Sequence, residues 1–177
     1  MARKILFNKI LIANRGEIAL RIMRSLRYLD IEVAIIYGKE DRLSLPVRLA
    51  DEGIYIPRDD PLATYLDIEA IVKSAKEFGA DAVHPGYGFL AENPTFARRL
   101  TEEGIKFIGP SSKVLKILGD KISARKIMAE AGLPVAKGSD SPISNVKEAE
   151  EIARQIGFPV IIKAAAGGGG IGMQIVN

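Results

Sequence analysis

Short unbroken apolar runs alternate along the first part of the chain with longer segments whose apolar residues recur at helical spacing. Residues 9–13 read as a buried strand, 17–29 as a helix with Ile18, Ile22, Leu26 and Leu29 on one face, and 31–37 as the next strand. That is a βαβ unit. A more polar stretch follows, then a short strand over 54–56, a helix over 66–78, a strand over 80–84, a helix over 94–103 and a strand over 105–108. Strands separated by helices of this length predict an α/β fold with a doubly wound parallel sheet.

The pattern changes at Gly109-Pro110. Two short helices are predicted over 113–118 and 121–131, the second opened by Asp120 as N-cap and stopped by Gly132 and Pro134. A polar loop, a helix over 146–156 and a strand-loop-strand hairpin complete the chain. A domain boundary is therefore expected between 109 and 138, and the final helix and hairpin are too small to bury a core alone.

The 177 residues, 47% of them hydrophobic, suffice for one globular core and some excess. The 25 basic and 22 acidic side chains give a net charge of +3, and they are interspersed, without a basic run. A nucleic-acid partner is not expected. Cysteine is absent, which excludes disulfides, zinc-cysteine sites and thiol catalysis and fits a reducing compartment. Ile5-Leu6-Phe7 is too short for a secretory signal and no segment approaches a membrane span, so a soluble cytoplasmic protein is expected.

The densest chemistry lies in Ile161-Ile162-Lys163-Ala164-Ala165-Ala166-Gly167-Gly168-Gly169-Gly170-Ile171-Gly172-Met173. Glycines allow close backbone approach, so their N–H groups can wrap an anion to which Lys163 brings a charge. A phosphate-rich ligand such as ATP is expected at such a loop. The dinucleotide fingerprint fits only formally, since a strand rather than a helix follows, and no Gly-Lys-Ser/Thr marks a P-loop. A strand-loop-strand flap over phosphates remains, against the plainer alternative of a glycine linker.

Three further loops fall at the carboxyl ends of predicted strands, where parallel sheets bind ligands. They are Ala13-Asn14-Arg15-Gly16-Glu17, the segment 84–93 (His-Pro-Gly-Tyr-Gly-Phe-Leu-Ala-Glu-Asn), and Gly109-Pro110-Ser111-Ser112. Singly, each has a plain reading as turns, a cap, or a half-buried histidine at His84. Together with residues 161–173 they resemble, in order, the motifs of biotin carboxylase, the ATP-dependent part of acetyl-CoA, pyruvate and propionyl-CoA carboxylases. The resemblance runs from about Phe7 to the last residue.

The resemblance implies a Rossmann-like domain over 1–115 and, over 116–177, the beginning of an ATP-grasp domain with an incomplete glycine-loop lid. It also implies a reaction in which ATP and bicarbonate give carboxyphosphate, whose carboxyl group passes to biotin on a carrier protein, with Mg2+ as cofactor. Lys121 and Lys163 match lysines that contact the nucleotide, Gly169 and Gly170 match loop glycines near its phosphates, and Tyr87 matches a position on the biotin side. Implied partners are the biotin carboxyl carrier protein, the carboxyltransferase component and a second copy in a homodimer. Ile171 and Gln174 replace residues that are commonly basic in the family, and Pro46 stands where histidine is common. The family's magnesium ligands and catalytic residues fall beyond Asn177, so no catalytic or metal-binding residue is expected here, and 1–177 alone is expected to be inactive. The alternatives are a fragment of another ATP-grasp ligase resembling carbamoyl phosphate synthetase, or a non-catalytic oligomerisation module using Arg21, Arg24 and Tyr28 on one helix face.

Overall fold

A computed structural model describes residues 7–139, 141–163 and 172–177. The chain divides into two compact units, Met1–Lys116 and Ile117–Asn177.

The first unit holds a five-stranded sheet of β1 (Lys9–Ile12), β2 (Glu32–Tyr37), β3 (Glu52–Tyr55), β4 (Ala82–His84) and β5 (Lys106–Phe107). Their order is β3-β2-β1-β4-β5 and every pairing is parallel. Its helices are α1 (Gly16–Tyr28), α2 (Leu45–Leu49), α3 (Ile68–Phe78) and α4 (Pro94–Glu102), and the division between the units falls within α5 (Ser112–Gly119). This is the expected doubly wound α/β sheet.

Strand alternation explains why both faces are covered. Ile10 and Ile12 of β1, with Val33 and Ile35 of β2, pack with Ala19, Ile22, Met23 and Leu26 of α1. Leu11, Ala34 and Ile36 point the other way, onto Ile71, Val72, Ala75 and Phe78 of α3 and Phe96, Ala97 and Leu100 of α4. Two buried faces need an unbroken apolar strand, and that is what residues 10–13 and 33–36 supply. The sheet order reverses between β1 and β4, so their carboxyl ends flank the crevice where such folds bind ligands.

Several boundaries differ from the sequence reading for local reasons. Helix α3 starts at Ile68, not at 66, because the Asp67 carboxylate accepts the Ala70 N–H at 2.9 Å and caps it there. Leu66 instead ends a 3-10 turn over Ala63–Tyr65. The polar stretch after β2 contains α2, a single short turn of helix with Pro46 in its first turn and buried. Strand β3 begins two residues early, at Glu52 rather than 54, and Ile56 N–H still reaches Tyr37 O at 3.0 Å.

The second unit contains α6 (Lys121–Glu130), α7 (Val146–Ile156) and an antiparallel hairpin of β6 (Val160–Lys163) and β7 (Met173–Val176). Asp120 caps α6 through Ser123 N–H at 3.1 Å, as expected. Asn145 caps α7 through Glu148 N–H at 3.0 Å, and the Glu148 carboxylate returns to Ser144 N–H at 3.0 Å.

Candidate functional site

The carboxyl end of β1 turns at Asn14, which is 2% exposed. Its carboxamide must be satisfied where it lies, because a buried unpaired amide costs about 1–3 kcal/mol. Nδ2 donates to Pro85 O at 2.7 Å and to Tyr87 O at 2.8 Å, while Oδ1 accepts the Arg15 N–H at 2.8 Å. One side chain thus ties the loop after β1 to the loop after β4. Gly86 makes this approach possible: its φ is +65°, and a Cβ there would lie 2.6 Å from Asn14 Nδ2.

The loop 84–93 is held along its length. Gly86 N–H donates to His84 Nδ1 at 3.1 Å, so the second imidazole nitrogen carries the proton of the neutral ring. Burial lowers the His84 pKa, which favours that neutral form. His84 is therefore the half-buried structural histidine, with its ring anchoring a turn. Ala91 N–H reaches Gly88 O at 2.8 Å, Leu90 is buried, and Asn93 caps α4 by accepting Phe96 N–H at 3.0 Å.

An open cleft of about 410 Å³ lies between these loops, lined by residues 14–18 and 87–89. Tyr87 is 61% exposed, and its hydroxyl donates to Glu17 Oε1 at 2.9 Å. That bond, together with the nearby negative charge, raises the Tyr87 pKa and keeps the hydroxyl protonated. Gly16 opens α1 with φ +64°, setting Glu17 in the helix's first turn, where a carboxylate is favoured by the helix dipole.

Behind the cleft stands a network that sequence reasoning missed. Arg15 Nε and Nη2 donate to Asp41 at 2.6 and 2.7 Å, and the Tyr65 hydroxyl donates to Asp41 at 2.6 Å. Tyr65 is 1% exposed and stacks on Phe89 with ring centres 5.1 Å apart. Burial, reinforced by the bond to Asp41, drives the Tyr65 pKa far up. Burial also pushes the Asp41 carboxyl up, but the donors from Arg15 and Tyr65 outweigh it and leave the pKa below the ordinary value. The one signal available in sequence was that Asp41 follows the end of a strand.

A larger open depression of about 550 Å³ lies at the amino ends of β1, β4 and β5. Its polar groups are already engaged: Lys76 pairs with Glu103 at 2.5 Å, and Asp81 accepts the Asn8 and Lys9 N–H groups at 2.6 and 2.9 Å. Ligand chemistry is better served by the smaller cleft at the carboxyl ends. The third predicted loop caps α5, with Ser111 Oγ accepting Val114 N–H at 3.4 Å.

Of the predicted nucleotide residues, Lys163 ends β6 opposite Met173 and is exposed, while Lys121 opens α6. Both belong to the second unit. Gly169, Gly170 and Ile171 lie outside the described residues. Among the described residues no group of three or more histidine, aspartate or glutamate side chains is placed to hold a metal ion. Arg21, Arg24 and Tyr28 lie on the exposed side of α1, Tyr28 with 79% of its surface open. No helix among the described residues is long and apolar enough to cross a membrane.

A doubly wound sheet whose β1 and β4 loops share one cleft at the switch point is the architecture of α/β proteins that bind ligands there. Residues 6–115 match the family described as biotin carboxylase, N-terminal domain, and the chain belongs to that family. Residues 120–177 match the ATP binding domain of the carbamoyl-phosphate synthase L chain.

The chain is 52% identical over 170 residues to pyruvate carboxylase of Staphylococcus aureus, covering 96% of this chain and 15% of that protein. It is 49% identical over 173 residues to biotin carboxylase of Haemophilus influenzae, covering 97% and 39%. The biotin carboxylase domain dimer of Hydrogenobacter thermophilus 2-oxoglutarate carboxylase, solved with MgADP, ADP and bicarbonate, superposes with a TM-score of 0.90 at 50% identity. That match covers 96% of this chain and 37% of the solved one. The chain therefore spans well under half the length of these relatives.

Proposed function

We propose that this chain forms the amino-terminal part of an ATP-dependent biotin carboxylase, contributing one wall of the biotin cleft and part of a nucleotide lid. The observation that carries this reading is the Asn14 carboxamide, which joins the loops after β1 and β4 into one cleft with Tyr87 at its edge. Tyr87 stands on the biotin side, where its ring offers an apolar face and Glu17 fixes its hydroxyl. Lys121 and Lys163 face the nucleotide, and the backbone N–H groups of Gly169 and Gly170 approach its phosphates.

Lysine charge and fixed N–H donors stabilise the oxygens on which charge develops during phosphoryl transfer. ATP transfers its γ-phosphoryl group to a bicarbonate oxygen with release of ADP, giving carboxyphosphate; the carboxyl carbon then bonds to a ureido nitrogen of biotin as its bond to the phosphate oxygen breaks, phosphate leaves, and the nitrogen's proton passes to the catalytic base. Glycine N–H groups at 169 and 170 serve this role whatever the side chain at 171, so isoleucine there is compatible with nucleotide binding. Magnesium ligands and the catalytic base are assigned to segments outside this chain. The partners are a biotinylated carrier protein, a carboxyltransferase component, and a second copy meeting the exposed α1 face of Arg21, Arg24 and Tyr28. The absence of cysteine suits a cytoplasmic setting.

A carbamoyl phosphate synthetase reading draws on the match over 120–177, a module the two enzyme groups share, whereas the match over 6–115 favours biotin carboxylase. The test is a chimaera in which this chain replaces the matching segment of the Haemophilus enzyme. Biotin-dependent cleavage of ATP is expected from the chimaera, and none from residues 1–177 alone. A folded chimaera that cleaves ATP without responding to biotin, or phosphate release by the isolated chain, would overturn the assignment.

A further inference from the structure

We propose that Asp41 and Tyr65 are positioning residues that fix Tyr87 in the cleft through Arg15, Asn14 and Phe89. The inference rests on reading that cleft as the biotin side. Neither Asp41 nor Tyr65 lines it.

Asp41 ends a 3-10 turn, Lys39–Asp41, that follows β2, so it approaches the cleft from a strand that contributes nothing to the lining. Its two oxygens accept three hydrogen bonds, two from Arg15 and one from Tyr65. Fork-like Arg-carboxylate pairing is directional, so it fixes the orientation of Arg15 as well as its position. Arg15 immediately precedes α1, and its N–H is bonded to Asn14 Oδ1. The residue after Gly16 is Glu17, acceptor of the Tyr87 hydroxyl.

Tyr87 is therefore gripped at two points that both lead to Arg15. Asn14 holds its carbonyl, and Glu17 holds its hydroxyl. A third restraint arrives from below: the Tyr65 ring, oriented by its bond to Asp41, stacks on Phe89, two residues beyond Tyr87. Phe89 has φ +41°, a conformation a bulky residue adopts only where its surroundings enforce it. The guanidinium of Arg15 also lies 5.6 Å from the Tyr65 ring, which closes the network on itself.

The experiment labels the tyrosine ring Cζ carbons of the 177-residue chain with carbon-13 and compares it with Asp41→Asn and Tyr65→Phe, assigning Tyr87 through Tyr87→Phe. Amide exchange is followed at Arg15, Gly86 and Ala91 in the rim and at Leu11 and Ile35 in the sheet. Asp41→Asn is expected to move the Tyr87 resonance and to speed rim exchange about tenfold, with sheet exchange changed less than about twofold, as local opening requires. Tyr65→Phe is expected to act in the same direction and less strongly, and it carries the test alone should Asp41→Asn fail to fold. In the chimaera, Asp41→Asn is expected to raise KM for biotin about tenfold while leaving KM for ATP within about twofold. An unmoved Tyr87 resonance, or exchange that rises equally in rim and sheet, would overturn the proposal and make Asp41 an ordinary stabilising residue. A parent chimaera inactive toward biotin would count against the functional reading alone, since the resonance measurement reads Tyr87 directly.

Discussion

The two units hold their proposed site residues by opposite means. In Met1–Lys116 a rim of polar side chains rests on a sheet buried on both faces, and the core extends to Leu115. In Ile117–Asn177 no described residue is buried, and Ile161, Ile162, Met173 and Ile175 of the hairpin expose about half or more of their surface. Lys163 is placed by backbone pairing with Met173. Apolar burial gives the first unit its rigidity, whereas a two-stranded hairpin is only marginally stable without a covered face. The proposed role of the cleft, to orient a ring, benefits from the former, and the role proposed for the glycine loop, to close over phosphates, benefits from the latter.

The sharpest way to break this contrast is to truncate one apolar side chain in each unit. Leu11→Ala removes a fully buried residue of β1 and is expected to cost about 2–5 kcal/mol. All five tyrosines lie in the first unit, so the urea midpoint of tyrosine fluorescence measures that loss. Ile161→Ala, across from Ile175, should cost less than about 1 kcal/mol, read as amide exchange in β6. A loss at Ile161 comparable to that at Leu11 would mean that the hairpin rests on a core after all.

The second test asks whether the exposed unit carries chemistry in place of packing. In the chimaera, Lys163→Ala is expected to lower kcat/KM for ATP by roughly 30- to 1000-fold, about 2–4 kcal/mol, with the fold unchanged by circular dichroism. Gly169→Val should be at least as severe, because a β-branched side chain would obstruct the close phosphate approach proposed for this loop. Lys121→Ala should also weaken ATP use. Ile171→Ala should matter far less, since the loop is assigned its grip through the backbone. If Lys163→Ala and Gly169→Val both stay within about twofold of the parent, the loop is a linker.

What could be read in advance follows the same division. Residues 10–13 and 33–36 announce themselves because a strand buried on both faces must be continuously apolar, and α1 because its apolar stripe repeats at helical spacing. Helix α2 escaped notice, being one short turn opened by a proline in a polar stretch. The start of α3 was misplaced because Leu66 fits the apolar stripe while Asp67 caps the helix one residue later. Asn14, Arg15 and Tyr87 stood out within local motifs, but Asp41 and Tyr65 did not. Their partners are 24 to 26 residues away in sequence, and only the arrangement of strands brings them together. Local pattern reports what a segment buries; it does not report which loops converge.

The smallest expected effect tests whether the rim is held by charge. Burial pushes the Asp41 carboxyl up in pKa, yet the donors from Arg15 and Tyr65 leave it below its ordinary value in the folded chain. The unfolded chain therefore binds a proton at Asp41 more readily than the folded one, and stability from this group rises with pH. It is fully present above the unfolded value of about 3.9 and is lost as pH falls through the lower folded value. Arg15 is 40% exposed, so solvent screening limits the effect to about 0.4 kcal/mol or less, within the twofold change expected of sheet exchange. Asp41→Asn cannot lose charge with pH, and every other carboxylate is common to both proteins. The difference between their urea midpoints, followed by tyrosine fluorescence, should therefore be constant from pH 7 to about 5 and shrink toward pH 3. A difference that holds steady or widens on acidification would show that Asp41 is not held as a carboxylate by Arg15, and the rim would then rest on packing like the sheet beneath it.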